Sequence, residues 1–182
     1  SNTIDPTQGI LTPFYENNNR ITTCPSLVEG QVKSVYQGHT GGYGYNRALG
    51  TTIWVAPNWT KPLYYVRRIT DIEATSATFL FSDSALIATW TSPPEAQESD
   101  AIAAPFPTPF RGGDLGSPQP TTHFRHAGGL AVVAFLDGHV ESRTEVPFPS
   151  PTWWTPEANA LCEKIRLGYL ADTNEPYEGR WR

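Results

Sequence analysis

Three of the four histidines, His123, His126 and His139, fall in one short stretch, and imidazole nitrogens are ligands for zinc or carriers of protons near neutral pH. If that stretch folds as a hairpin, His126 and His139 approach each other across it. A zinc centre would need a third and fourth ligand with outer partners to orient them, and the spacing matches no closed or catalytic zinc pattern; the plain alternative is histidines bonded to backbone or facing solvent. Asp83 and Asp137 each end an apolar run. Strand ends side by side would bring the two carboxylates to one sheet edge, as an acid/base pair, as a Ca²⁺ site completed by backbone carbonyls, or as two turn caps. Cys24 and Cys162 would form a disulfide in an exported protein, and two separate settings suit free thiols equally well.

Other chemistries find no support. No serine stands in a G-x-S-x-G elbow, and Cys24 is followed by proline with no base close in sequence. There is no phosphate-binding loop, and GGYGYN at 41–46 lacks both the dinucleotide spacing and the helix that would follow it. No catalytic residue is assigned and no enzyme is expected. Asn58-Trp59-Thr60 is a glycosylation acceptor pattern. Tyr43, Tyr45, Trp54, Trp59, Tyr64 and Tyr65 either line a platform for a sugar or a protein, or pack a core.

The elements that must position these residues follow from composition and pattern. A chain of 182 residues suits one domain, 1–182, with its own core. Seventeen prolines, 15 glycines and 12% aromatic residues favour short strands and long ordered loops. A net charge of −5 without any Lys/Arg cluster argues against nucleic acid as a partner. No apolar stretch approaches the roughly 18–20 residues that span a bilayer, and no signal peptide is visible at the amino end. The sequence opens Ser1-Asn2-Thr3 and contains no Met, which leads us to expect a start downstream of a removed segment.

Residues 124–145 read as a β-hairpin. The run Leu130–Leu136 ends at Asp137-Gly138, the pattern of a two-residue type I′ turn. The incoming strand looks buried on both faces and the return strand lies nearer the edge. A second strand, Ala77–Phe81, leads to Asp83, and 33–55 suggests one or two glycine-interrupted strands. A short helix or turn is expected over 9–16 and a turn at CPSLVEG. The Pro-rich segment 92–120 reads as a surface excursion with at most one helical turn, near Glu95–Ala101. Thr155-Pro156-Glu157 opens a helix over ANALCEKIRL, with Gly168 as its stop. The fold class is α+β and β-rich: an antiparallel sheet with hairpins, long Pro-rich loops and a few short helices.

The stretch RHAGG…VVAFLDGHVES resembles the signature of pseudopilin-like proteins with the His-nine-Asp-Gly carboxy-terminal domain. His126, Gly128, Gly129, Asp137, Gly138, His139 and Val140 fill its places. Ten residues separate His126 from Asp137 instead of nine, and a bulge in the apolar strand would absorb the extra one. GILTPFYENNNRITTCPS, GGYGYN, SATFLFSDSA and LGYLADTNEPY resemble further family stretches in the same order. The resemblance implies a type IV pilin-like globular head lacking its amino-terminal hydrophobic helix: a non-enzymatic structural subunit of a pilus, an extracellular filament or a type II secretion pseudopilus. It implies export to the periplasm, cell surface or an extracellular filament, self-association or other pilin-like subunits as partners, and membrane contact only through the missing helix. Related major pseudopilins hold a structural Ca²⁺, for which Asp83 and Asp137 are the candidates here; no other cofactor is expected. The competing readings are an extracellular glycan- or protein-binding module built on the aromatics of 43–65, and a small metal-dependent hydrolase using the three histidines.

Overall fold

The structure, a computed structural model, describes residues 13, 23–35, 41–54, 62–107, 109–110, 113–114, 119–147, 149 and 151–179. Its strands are β1 (Tyr43–Asn46), β2 (Gly50–Trp54), β3 (Pro62–Val66), β4 (Phe79–Asp83), β5 (Leu86–Ala88), β6 (Glu95–Gln97), β7 (Ala101–Ile102), β8 (Pro109–Phe110), β9 (Gly113–Asp114), β10 (Thr122–His123), β11 (Leu130–Phe135), β12 (Val140–Thr144) and β13 (Leu167–Gly168). The α-helices are α1 (Pro156–Ile165) and α2 (Glu175–Glu178). The main sheet has the order β12-β11-β4-β1-β7, flanked by two-stranded pairs β10-β13, β2-β3, β5-β6 and β8-β9. Every one of these pairings is antiparallel except β1 with β7. The architecture is therefore α+β, with mostly antiparallel sheets and few short helices. None of the described helices is long and apolar enough to cross a membrane.

Strand β11, LAVVAF, pairs with β12 on one side and β4 on the other. Its residues alternate half-buried and buried, so the strand is central but only Ala131, Val133 and Phe135 reach the core. That corrects the expectation of burial on both faces. β12 is exposed along its whole length, as an edge strand carrying Glu141 and Arg143 should be. The hairpin loop also differs from the expected type I′ turn. Gly138 N–H donates to Phe135 O at 3.0 Å and Phe135 N–H to His139 O at 2.9 Å. Gly138 has φ 95 while Asp137 does not take a positive φ. This is a three-residue loop with its left-handed residue at Gly138, a geometry that needs only one position of positive φ where type I′ needs two. The bulge lies opposite the expected place: Ala134 pairs with Phe81 but Phe135 with Phe79, so the extra residue is Leu80, on β4.

The carboxy-terminal helix begins as read. Thr155 caps it, its hydroxyl accepting the Ala158 amide at 3.3 Å, with Pro156 in the first turn. It ends before Gly168, at Arg166, which takes a left-handed conformation (φ 59) and returns its amide to Cys162 O and Glu163 O. β4 starts at Phe79 and runs through Asp83, because a 3₁₀ turn occupies Thr75–Ala77. Within segment 92–120 the stretch 96–104 is not a surface excursion: Ala96, Gln97, Glu98, Ser99, Ala101, Ile102 and Ala104 are buried. Where a helical turn was expected, Glu95–Gln97 pairs with β5 and Ala101–Ile102 runs beside β1. The prolines bound this buried stretch, and inside it small side chains let two strands lie flat against their neighbours. The helix expected over 9–16 lies outside the described residues apart from Pro13, as does Asn58-Trp59-Thr60.

Among the described residues two apolar cores result. One gathers Phe79, Ile102, Phe124, Val133, Phe135 and Tyr177 beneath the main sheet. The other packs α1, through Ala158, Cys162 and Ile165, against Ala85, Ile87, Trp154 and Leu167. Asn46 ties the first core together: its amide donates to Phe79 O and Tyr177 O while its oxygen accepts the Ala48 amide.

Candidate functional site

The polar centre of the molecule forms where β4 ends and β11 begins. β4 delivers Asp83, which is fully buried. Antiparallel pairing puts the head of β11 beside it, and Val132 N–H donates to Asp83 Oδ2 at 2.7 Å. Just upstream, His126-Ala127-Gly128-Gly129 folds back on itself: Gly129 N–H donates to His126 O at 2.9 Å and His126 N–H to Leu130 O at 3.0 Å. Gly128 and Gly129 take φ 76 and 70, values a β-carbon disfavours. The glycine pair therefore turns His126 back toward the head of the strand.

His126 Nε2 stands 3.0 Å from Asp83 Oδ2 and 3.6 Å from Cys24 Sγ. Its Nδ1 lies 3.1 Å from Ser26 Oγ. Cys24 and Ser26 come from the Cys-Pro-Ser turn, held by Cys24 N–H donating to Gly41 O at 2.8 Å. The next carbonyl, Gly42 O, accepts from Arg125 at 2.7 Å, and the same guanidinium nitrogen reaches Ser84 O at 2.9 Å. Gly42 has φ 81, and a β-carbon there would collide with the Arg125 guanidinium. The Arg125 side chain is 1% exposed and its Nε lies 3.6 Å from Asp83 Oδ1. Asp83, Arg125 and Cys24 are thus sealed in, whereas the His126 side chain stays a quarter exposed at 25%.

The electrostatics follow from that burial. Desolvation pushes the Cys24 thiol up, with the Asp83 carboxylate adding and the Ser26 amide and Arg125 opposing. Desolvation likewise lowers Arg125, while Asp83 pulls it back up. A Cys-His-Asp relay needs the thiol on one imidazole nitrogen and the carboxylate on the other. Here both face Nε2 and Ser26 takes Nδ1, so the three groups are not arranged as that relay. The ligand atoms of Cys24, Asp83 and His126 all lie within 4.8 Å of one another.

The expected partnerships are rearranged. Asp83 and Asp137 do not share a site: β4 and β11 are antiparallel, so Asp83 sits at the start of β11 and Asp137 beyond its end. No Ca²⁺ can be held between them, and Asp83 already accepts from Val132 and faces Arg125. Asp137 is a turn cap, its carboxylate accepting His139 N–H at 3.1 Å and standing 2.6 Å from His139 Nδ1. The His139 amide, then its ring, hold that carboxyl below its ordinary range. Nor do His126 and His139 approach, because they occupy opposite ends of β11; His139 stacks on the Phe135 ring at 4.1 Å. His123 is fully buried with Gln31 Nε2 3.4 Å from its Nε2. The three-histidine centre is therefore not formed. Cys24 and Cys162 are both buried and free; Cys24 belongs to the polar node, Cys162 to the helix core, where its thiol reaches Leu167 O at 3.4 Å.

Gly128 and Gly129 build the turn that aims His126, and Gly138 closes the far loop. Arg125 and Ser26 are site members that the sequence reading does not assign, and Tyr43, read as part of an aromatic platform, pairs in register with Asp83. The adjacency of Arg125 to His126 and of Ser26 to Cys24 was the available signal. Of the aromatic platform, Tyr43 and Tyr45 lie on β1, and the side chains of Trp54, Trp59, Tyr64 and Tyr65 lie outside the described residues. No family model, curated protein or solved structure matches the chain.

Proposed function

We propose that this chain is the globular part of a pseudopilin-like subunit, a non-enzymatic building block of a pilus, extracellular filament or secretion pseudopilus, exported to the cell surface or periplasm. The observation that supports this reading is the convergence of the stretches that carry the resemblance. Cys-Pro-Ser supplies Cys24 and Ser26, GGYGYN supplies the Gly41 and Gly42 carbonyls, SATFLFSDSA supplies Asp83, and RHAGG supplies Arg125 and His126. Their polar groups face one another in one largely buried node that joins four distant stretches, as a scaffold requires.

A working surface for assembly is offered by one strip of the main sheet. Tyr45, Phe81, Ala134 and Val140 stand in register across β1, β4, β11 and β12. Phe81 and Val140 are 38% and 60% exposed, although the solvent face of an antiparallel sheet is ordinarily polar. This strip suits the flank of a neighbouring subunit better than water. It takes the place of segment 92–120, whose stretch 96–104 is largely buried, as the contact surface.

The test is mass spectrometry of sheared surface filaments against the membrane and extracellular fractions of the source cells, for wild type and Phe81→Glu. The proposal expects the polypeptide in filaments and its loss from them in the variant, with the variant protein still folded. Recovery of the native protein solely as an extracellular monomer would overturn it and favour a binding module.

A further inference from the structure

We infer that Cys24, Asp83 and His126 form a binding site for one divalent transition-metal ion of the zinc class, independent of any role in a filament. The three donors are a thiol sulfur, a carboxylate oxygen and an imidazole nitrogen, a set that zinc accepts and that calcium, which takes oxygen ligands, does not. Their separations are close to those that one shared ion requires. Bond lengths of about 2.3 Å to sulfur and 2.0–2.1 Å to nitrogen or oxygen give tetrahedral edges of about 3.3–3.6 Å. The gap from Cys24 Sγ to His126 Nε2, 3.6 Å, matches such an edge; that from the same nitrogen to Asp83 Oδ2, 3.0 Å, has to open by about 0.3 Å, and all three ligand atoms lie within 4.8 Å of one another.

Two further observations point the same way. Ser26 Oγ lies on Nδ1, so it can accept the ring proton there and leave Nε2 free as donor, the outer partnership that metal-bound histidines ordinarily have. Asp83 can ligate through Oδ2 alone, since Oδ1 faces Arg125 and Oδ2 keeps one lone pair beyond the Val132 amide. The proton balance is simple. Binding releases the Cys24 thiol proton to solvent and moves the imidazole proton from Nε2 to Nδ1; no electron is transferred. Arg125 is the nearby cation that opposes the ion, and two anionic ligands, the thiolate and the carboxylate, offset it. The quarter-exposed His126 side chain provides access from solvent.

The test uses the full chain after chelator treatment, titrated with Co²⁺ and then with Zn²⁺ in competition, and with Ca²⁺ as control. We expect one equivalent of Co²⁺ to bind with the thiolate-to-cobalt charge-transfer band in the near ultraviolet, displaced by Zn²⁺ and untouched by Ca²⁺. Cys24→Ser should remove the band, and Ser26→Ala should weaken binding about 10–100-fold. Circular dichroism checks that Cys24→Ser keeps its fold, and in wild type Zn²⁺ must protect Cys24 from iodoacetamide in peptide mapping. Absence of the band, an unchanged band in Cys24→Ser, or alkylation of Cys24 at the same rate with and without Zn²⁺ would each overturn the inference.

Discussion

The imidazole of His126 meets the carboxylate of Asp83 at 3.0 Å, one at the turn that precedes β11 and the other at the end of β4. That contact, with Arg125 behind it, sets a fully buried charge at the heart of the fold.

Replacing Asp83 by Asn preserves shape but leaves the Arg125 guanidinium buried without its counter-charge. Breaking a buried pair from one side ordinarily costs about 3–5 kcal/mol. Urea denaturation of the chelator-treated protein should show a loss of that order for Asp83→Asn; a loss under about 1 kcal/mol would mean that Arg125 is neutralised elsewhere.

The left-handed positions separate strain from collision. Gly128 and Gly129 have nearly equal φ, but a β-carbon at Gly128 meets nothing within 4 Å while one at Gly129 strikes the Arg166 guanidinium. Gly128→Ala should cost about 1–2 kcal/mol from conformation alone, and Gly129→Ala more. In an Arg166→Ala background the two costs should converge, as thermal melts would reveal.

Arg166 itself holds φ 59 at the end of α1, where glycine is the usual occupant. Arg166→Gly and Arg166→Ala both remove the guanidinium, so their difference reports the backbone. The glycine variant should be more stable by about 1 kcal/mol; equal midpoints would show that the helix end relaxes.

Burial drives the His123 imidazole down to about 3 from its ordinary 6.5, with Arg125 and then His126 adding and the Ile165 carbonyl opposing. Between those values the unfolded chain binds a proton that the native one excludes, so stability falls as pH falls, by up to about 1.4 kcal/mol per unit. His123→Gln should flatten that slope in urea midpoints between pH 6.5 and 4.5, and an unchanged slope would assign the acid lability to other groups.

The free cysteines give a chemical check. Burial, with the Glu145 and Glu163 carboxylates adding, pushes the Cys162 thiol up to about 12. At neutral pH iodoacetamide should leave Cys162 unlabelled until the protein unfolds, and dithiothreitol should not move the melting temperature. A reductant-dependent Tm would restore the disulfide.

Local patterns carried far in this chain. Thr155-Pro156-Glu157 defined the start of α1 because capping is settled within one helical turn. Leu130–Leu136 followed by Asp137-Gly138 defined a hairpin because its strands are adjacent in sequence, and the α+β class followed from the same short strands and turns. What the sequence left undecided was partnership over distance. Asp83 and Asp137 end similar strands and looked equivalent, yet antiparallel pairing sends them to opposite ends of the sheet; no residue near either one encodes that direction. Cys24 meets His126 and not Cys162 because the Gly41 and Gly42 carbonyls tie the Cys-Pro-Ser turn and Arg125 to the same corner. Register and strand order are properties of the whole packed chain, and they alone decided which polar groups share the buried centre.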